Sequence, residues 1–331
     1  MNNLFEHMDW GKWMQDFNNS SFEEKALELF QWQYAGNEVY RSFTNQMFGY
    51  DYRPSGMQDI PFLPISFFKS QMVKTGNVQE AAIFESSGTT GSVNSKHFVK
   101  DLAIYRSAFL AAFKKFYGDP ADWCILGLLP SYLERANSSL VMMVDELIQL
   151  SGHSNSGFYL HDHDALHDTL VQVESKGQKT LLIGVTFALL DFAEKFSMRL
   201  KHTTIMETGG MKGRRKEMTR DEVHGILKSA FGLGSIHSEY GMTELLSQGY
   251  SLGDGIFHTS DTLKILIRDE DDPLSVHSHG TGVINVIDLA NIWSCAFIAT
   301  DDLGKLYLDG SFEVLGRVDY SDIRGCSQMT I

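Results

Sequence analysis

Six consecutive residues, Ser86-Ser87-Gly88-Thr89-Thr90-Gly91, gather two glycines, two threonines and two serines. Glycine lets such a loop turn sharply, so backbone N–H groups and hydroxyls can converge on one anion. That donor set suits a polyphosphate, although the same composition also makes a polar surface turn. It is not a Walker A loop, because no Gly-Lys-Ser/Thr ending follows Gly91. Further along, Glu207-Thr208-Gly209-Gly210-Met211-Lys212-Gly213-Arg214 combines glycines that admit a flat ligand to the backbone with basic side chains that can face an anion. A βα turn with a solvated basic tail reads the same way. Tyr240-Gly241-Met242-Thr243-Glu244 offers an aromatic face, a flexible glycine, a hydroxyl and a carboxylate. A nucleotide bound with Mg²⁺ uses all four. Thr300-Asp301-Asp302-Leu303-Gly304 sets a carboxylate at a strand end, where it can accept from two ribose hydroxyls, or it forms an Asp-rich hairpin turn. Gly316-Arg317-Val318-Asp319 and then Arg324-Gly325-Cys326 put charges and a thiol behind the last strand.

The elements that position these residues can be read from apolar spacing. Ser21 and Glu24 have capping-box spacing, and the helix they open ends at Gly36. Val39, Tyr40, Phe43 and Met47 mark a second helix. Pro61 and Pro64 exclude regular helix from 60–65. From 81 to 250 short apolar runs alternate with amphipathic stretches. The runs begin at Ala81, Cys124, Leu181 and Thr203, and the helices lie around Leu102–Phe116, Leu140–Ile148, Phe187–Phe196 and Asp221–Phe231. Alternation of this kind predicts a parallel sheet with helices on both faces, binding ligands at the carboxyl ends of its strands. From 255 onward the runs 262–268, 282–288, 296–300, 305–308 and 312–315 predict a β-rich, antiparallel subdomain. The expected organisation is one unit over 1–331, with a helical segment 1–80, an α/β core 81–250 and a β-rich part 251–331.

The 331 residues carry 28 basic and 42 acidic side chains, a net charge of −14. That disfavours nucleic acid or an anionic membrane as the main partner, though not a nucleotide held in a local cradle. The three cysteines, Cys124, Cys295 and Cys326, show no paired spacing, which suits a reducing compartment. No leader-like start and no apolar run near ~20 residues is evident, so the expectation is a cytoplasmic chain without a membrane span. His161, Asp162, His163, Asp164 and His167 form a cluster in which His163 and His167 have metal-ligand spacing on a helix. A plain solvated helix start is the competing reading.

Taken in order, Ser-Ser-Gly-Thr-Thr-Gly, Gly-Gly, Tyr-Gly-Met-Thr-Glu, Thr-x-Asp and Gly-Arg-x-Asp resemble the motifs of the adenylate-forming superfamily. The 130–140 run, the Glu-Thr-Gly-Gly-Met-Lys-Gly-Arg run and Arg324-Gly325-Cys326-Ser327 resemble the acyl-protein synthetases of bacterial bioluminescence operons. The resemblance covers about Ile60 to the end. It implies an adenylate-forming large-domain fold and ATP-dependent activation of a carboxylic acid, in keeping with a fatty acid, as an acyl-adenylate. By the same resemblance, Ser87, Gly88, Thr89, Thr90 and Gly91 hold the β- and γ-phosphates. Gly209 and Gly210 line the adenine, and Tyr240 stacks on it beside Gly241 and Met242. Thr243 lies near the phosphate, Glu244 on Mg²⁺, and Asp302 and Arg317 on the ribose. Two departures stand out. No Pro-Lys follows the phosphate loop, where the nearest lysine is Lys96. Nor is there room after Asp319 for the C-terminal lid domain and its catalytic lysine, so Lys212 and Arg214 become candidates to offset adenylate charge. Cys326 matches the family's acyl acceptor, which would give a thioester. An acyl reductase or a carrier protein is an implied partner. An acyl-CoA ligase, transfer to a carrier thiol, and a non-catalytic nucleotide-binding protein stay open. The acid is expected between the Pro130–Ser139 loop, the 184–186 turn and the Tyr240 loop.

Overall fold

Every residue of Cys124–Leu128 and Thr180–Val185 is buried, so neither face of these strands meets water. Burial on both faces marks a parallel sheet sandwiched by helices. The computed structural model of the protein describes residues 8–16, 21–77, 79–86, 93–130, 137–209 and 218–318. In it the parallel strands run in the order Gly157–Phe158, Cys124–Leu128, Thr180–Val185, Thr203–Thr208, His237–Tyr240. Helices Leu102–Tyr117, Ser139–Ser151, His163–Ser175, Thr186–Lys195 and Arg220–Phe231 alternate with them along the chain. The expected α/β architecture is therefore present. Local signals set the helix ends. Ser21 and Glu24 form a complete capping box, as do Thr219 and Glu222, and Gly118 closes the helix before it at φ 84°.

Beyond Tyr240 the sheet continues antiparallel through Gly249–Ser251, Phe257–Thr259, Phe312–Arg317, Phe297–Leu306, Gly280–Asp288, Leu263–Arg268 and Val276–His277. Leu63–Pro64 adds to Phe297–Leu306 in parallel, for thirteen strands among the described residues. In sheet order, three strands separate His237–Tyr240 from Phe297–Leu306, which would hold them about 19 Å apart in a flat sheet. Yet the Tyr240 hydroxyl reaches Asp302 at 3.0 Å. The sheet therefore curls strongly on itself. Phe257 and Phe312 stack at 5.3 Å inside the curl, and both rings meet Tyr240 edge-on. A cross-strand glycine pair, Gly282 and Gly304, permits the tight approach. A Cβ on Gly304 would meet Glu313 O at 2.7 Å, and one on Gly282 would collide with Arg268 O.

The N-terminal helices Phe22–Gly36 and Glu38–Phe48 pack on this curled end. Buried Gln33 donates to the carbonyls of Asn291 and Ile292 and accepts from Ala296 N–H. One glutamine thus satisfies three backbone groups of a buried loop.

Three expectations are corrected. The 296–300 and 305–308 runs are one continuous strand, Phe297–Leu306, so Asp302 is neither in a hairpin turn nor at a strand end. Side chains alternate through 300–304, and bulges opposite Val283/Asn285 and at Leu303/Gly304 absorb the curl without breaking the strand. The run at Ala81 forms Ala82–Glu85 but pairs only with Lys96–Val99, in a separate two-stranded hairpin outside the parallel sheet. The Tyr240 motif begins as strand, not loop, because Tyr240 is the last residue of His237–Tyr240. Helix His163–Ser175 exists with Asp162 as its N-cap. His163 meets Phe192 edge-on and His167 stacks on Phe196 at 4.5 Å. Among the described residues no group of three or more His, Cys, Asp or Glu is arranged to hold a metal ion. No helix among them is long and apolar enough to cross a membrane.

Candidate active site

Three parallel strands end side by side, because Val185, Thr208 and Glu239 are register partners in turn. Ligands of open α/β sheets bind at such carboxyl ends. Thr186, the first residue of its helix, donates from Oγ1 to Gly209 O at 2.8 Å, and Gly209 turns the chain at φ 72°. Thr208 donates from Oγ1 to Glu239 Oε2 at 2.5 Å. Surrounding protein desolvates Glu239 and pushes its carboxyl up to about 7, with the Thr208 hydroxyl pulling the other way. The other Glu239 oxygen lies where a Cβ on residue 241 would sit, so a larger residue there would displace the Glu239 side chain.

Asp302 is the centre of the second cluster. Tyr240 donates its hydroxyl to Oδ2 at 3.0 Å, and Arg317 donates Nε to Oδ1 at 3.2 Å from the register-paired position of the next strand. Burial raises the Asp302 carboxyl, while the Arg317 charge and the Tyr240 hydroxyl act against that. Asp302 is 11 % exposed at its side chain and Arg317 80 %, so the pair runs from the protein interior to the surface. Each carboxylate oxygen has a second lone pair. The pair can therefore still accept from two hydroxyls of a diol. The threonine of Thr-x-Asp has a structural task. It donates to Ile284 O at 2.8 Å and accepts from Asp302 N–H at 3.1 Å, which fixes the strand at its bulge.

A third network holds the loop after Tyr240. His97, from the Lys96–Val99 strand, sets Nδ1 2.8 Å from Thr243 O and Nε2 2.8 Å from Asn291 Oδ1. Burial pushes its pKa down to about 4, with the hydrogen bonds to Thr243 and Asn291 acting against that. Asn291 Nδ2 in turn donates to Glu244 O at 2.8 Å. Asp288 accepts from Leu246 N–H, Ser247 N–H, Ser247 Oγ and Ala290 N–H, pinning the next residues. The Glu244 side chain is buried, which raises its carboxyl, and the Ser95 hydroxyl and the charges of Arg317 and Lys69 counter the rise. Met242 packs against the core, and its carbonyl accepts from Leu245 N–H at 3.0 Å.

Of the predicted site residues, Gly209, Tyr240, Gly241, Met242, Thr243, Glu244, Asp302 and Arg317 are described, and Tyr240, Asp302 and Arg317 are in direct contact. Ser87, Gly88, Thr89, Thr90, Gly91, Gly210, Lys212 and Cys326 lie outside the described residues. Ser86, at the edge of the glycine-threonine stretch, exchanges hydrogen bonds with Ser95 at 3.1 and 2.9 Å. Lys96 is an exposed partner of Glu85 at 3.7 Å. Sequence reading missed Glu239, His97, Asn291 and Asp288, and gave Thr186 and Thr208, inside the 184–186 turn and the 207–214 run, no role of their own. A lone Glu before Tyr-Gly carries no spacing signal, and His97 finds its partners 146 and 194 residues away.

The family model described as "Acyl-protein synthetase, LuxE" matches residues 3–330. The chain belongs to this family. No curated protein matches it in sequence. Solved structures of adenylate-forming enzymes share its fold. ATP-bound MatB from Rhodopseudomonas palustris is 18 % identical, with a TM-score of 0.53 over 73 % of this chain and 49 % of that one. A luciferase-like enzyme from the nonluminescent mealworm Zophobas morio is 17 % identical, with a TM-score of 0.51 over 74 % of this chain and 60 % of that one. An open form of 2-hydroxyisobutyryl-CoA ligase, solved with 2-HIB-AMP and CoA, is 12 % identical, with a TM-score of 0.61 over 89 % and 74 %. The chain spans about half the length of the MatB structure it matches. At these identities the likeness is one of fold.

Proposed function

We propose that this LuxE-family protein uses ATP to activate a carboxylic acid, of the fatty-acid class, as an acyl-adenylate and passes the acyl group to its own Cys326. The observation that carries the reading is Asp302. A buried carboxylate, flanked by Tyr240 at the end of its parallel strand and by Arg317, has lone pairs left for a ribose diol. In the first step a carboxylate oxygen attacks the α-phosphorus of ATP, the bond to the bridging oxygen breaks, and pyrophosphate leaves. The protein's part is positioning and charge stabilisation. Asp302 and Arg317 orient the ribose, Gly209 and Gly210 flank the adenine with Tyr240, and Ser87 to Gly91 hold the outer phosphates with Thr243 nearby. Lys212 offsets adenylate charge. The donor set fits Mg²⁺: Glu244 is a hard-oxygen ligand whose buried charge lacks a cation within hydrogen-bonding distance among the described residues. Mg²⁺ would supply charge neutralisation on the phosphates. In the second step the Cys326 thiolate attacks the acyl carbon, the carbon–oxygen bond to phosphate breaks, and AMP leaves. We further read 1–331 as one adenylate-forming unit, supported by the Gln33 contacts across 258 residues.

Intact mass after incubation with ATP, Mg²⁺ and a panel of carboxylic acids tests this. The expected result is a hydroxylamine-labile acyl adduct on the wild type and none on Cys326→Ser. Pyrophosphate release without an adduct would move the acceptor to CoA or a carrier thiol. Neither adduct nor pyrophosphate with any acid would leave a nucleotide-binding protein without turnover.

A further inference from the structure

One cavity lies away from the strand ends. It measures about 740 Å³ and lies between helix Glu38–Phe48, the 52–64 segment and the outer strands of the curled sheet. That is within the ~300–1,000 Å³ of pockets that enclose a drug-sized ligand. Its wall uses the opposite side of the strand that carries Asp302: Ala299, Asp301 and Leu303 line it, whereas Thr300 and Asp302 face the site. Phe43, Phe48, Phe62 and Val276 contribute apolar wall. The cavity also explains an oddity of helix Glu38–Phe48. Of its apolar stripe Val39, Tyr40, Phe43 and Met47, only Tyr40 is buried, and Met47 is 48 % exposed. Leu274, across the opening, is 51 % exposed.

The charge on the lining is selective. Among the described residues Asp59, Glu270, Asp271 and Asp301 contribute four carboxylates against one cation, Arg268. Arg268 is already bound to Ile284 O, Asn285 Oδ1 and Thr300 O. A free fatty carboxylate would be repelled, whereas an uncharged acyl thioester would not. Val318 also lines the cavity, directly after Arg317 of the Asp302 pair. Cys326 is eight residues further along. Eight residues span at most about 29 Å when extended, which brings both the site and the cavity within reach of one thiol.

We propose that this cavity shelters the apolar acyl chain of the Cys326 thioester between its formation and its transfer. The occupant is the acyl group carried by the protein, not a free acid. The proposal rests on Cys326 as acceptor, so its test is kept independent of adenylation. Alkyl methanethiosulfonates of increasing length react with a cysteine thiolate to give a mixed disulfide and methanesulfinate. Cys124 and Cys295 are buried, and burial raises both thiols, to about 11 and about 12. The reagent is therefore directed to Cys326, with Cys326→Ser as the control.

Amide exchange is then compared for the methyl, octyl and tetradecyl adducts of the full chain. The tetradecyl adduct should slow exchange at least tenfold in Glu38–Phe48 and in 274–276, and the methyl adduct should not. Each methylene buried favours the docked state by about fourfold, so protection should rise with length. Leu274→Trp, an exposed position on the rim, should remove the protection without affecting ATP-driven adduct formation. A second variant, Val276→Trp, guards against a local effect of the first. Protection independent of length, protection confined to the strand-end cleft, or failure of Cys326 to take the reagent would each overturn the proposal. Failure of the acid panel with ATP would instead overturn adenylation alone.

Discussion

At the residue scale the most informative side chain is Glu239, which no motif marks. Its carboxyl is pushed up to about 7 by the protein around it. The folded state then holds a proton more tightly than the unfolded chain, whose carboxyl titrates near 4.5. Stability from this group is fully present below that value and is lost as pH rises through 7. Glu239→Gln removes the titration and keeps an acceptor for Thr208. Thermal unfolding at a series of pH values should show the variant gaining on the wild type between pH 5 and 8, with the two converging near pH 4. A constant difference across that range would show that Glu239 is not desolvated. His97 has the opposite sign. Its pKa is lowered to about 4, so its contribution is lost as pH falls from 6.5 towards 4. The two slopes act over overlapping ranges, which is why the variant must be compared with the wild type at each pH.

At the scale of elements, the curl of the antiparallel strands delivers Asp302 to Tyr240. Gly304 touches no predicted ligand position, yet a Cβ there would press on Ile284 and on the Glu313 carbonyl. Gly304→Ala should destabilise the protein by about 1–3 kcal/mol, the usual overpacking range. It should also weaken ATP binding, measured by calorimetry, by shifting the Asp302–Arg317 register. Wild-type affinity in that variant would uncouple the curl from the site. The helices and the buried parallel strands were legible because period and apolar run length are local properties. Capping at Ser21 was equally local. The single strand through 300–304 was not legible, because two aspartates and a glycine read as a turn until their cross-strand partners are known. Tyr240, Asp302 and Arg317 each stood out in the sequence. Their mutual contact did not, since it depends on how three intervening strands coil. The Thr208–Glu239 contact was hidden for the same reason, the two being neighbours only in register.

At the scale of the whole molecule, the N-terminal helices are joined to the end of the curled sheet by Gln33. Gln33→Leu keeps the volume and deletes the hydrogen bonds to Asn291, Ile292 and Ala296. Leaving those groups unpaired in a buried loop should cost about 3 kcal/mol. Denaturant unfolding should register it as a lower midpoint with an unchanged slope. Because Asn291 carries both His97 and the Glu244 carbonyl, the same variant should loosen the loop after Tyr240. The seam also has a consequence for biosynthesis. Gln33 waits for partners 258 to 263 residues behind it. At ribosomal speeds of ~5–20 residues per second, that interval is roughly 13–50 s. Throughout it, Phe30 and Tyr40 lack the Phe297 ring that covers them in the folded protein. Nascent chains stalled before Ala296 should therefore be held by chaperones, and those released after it should not.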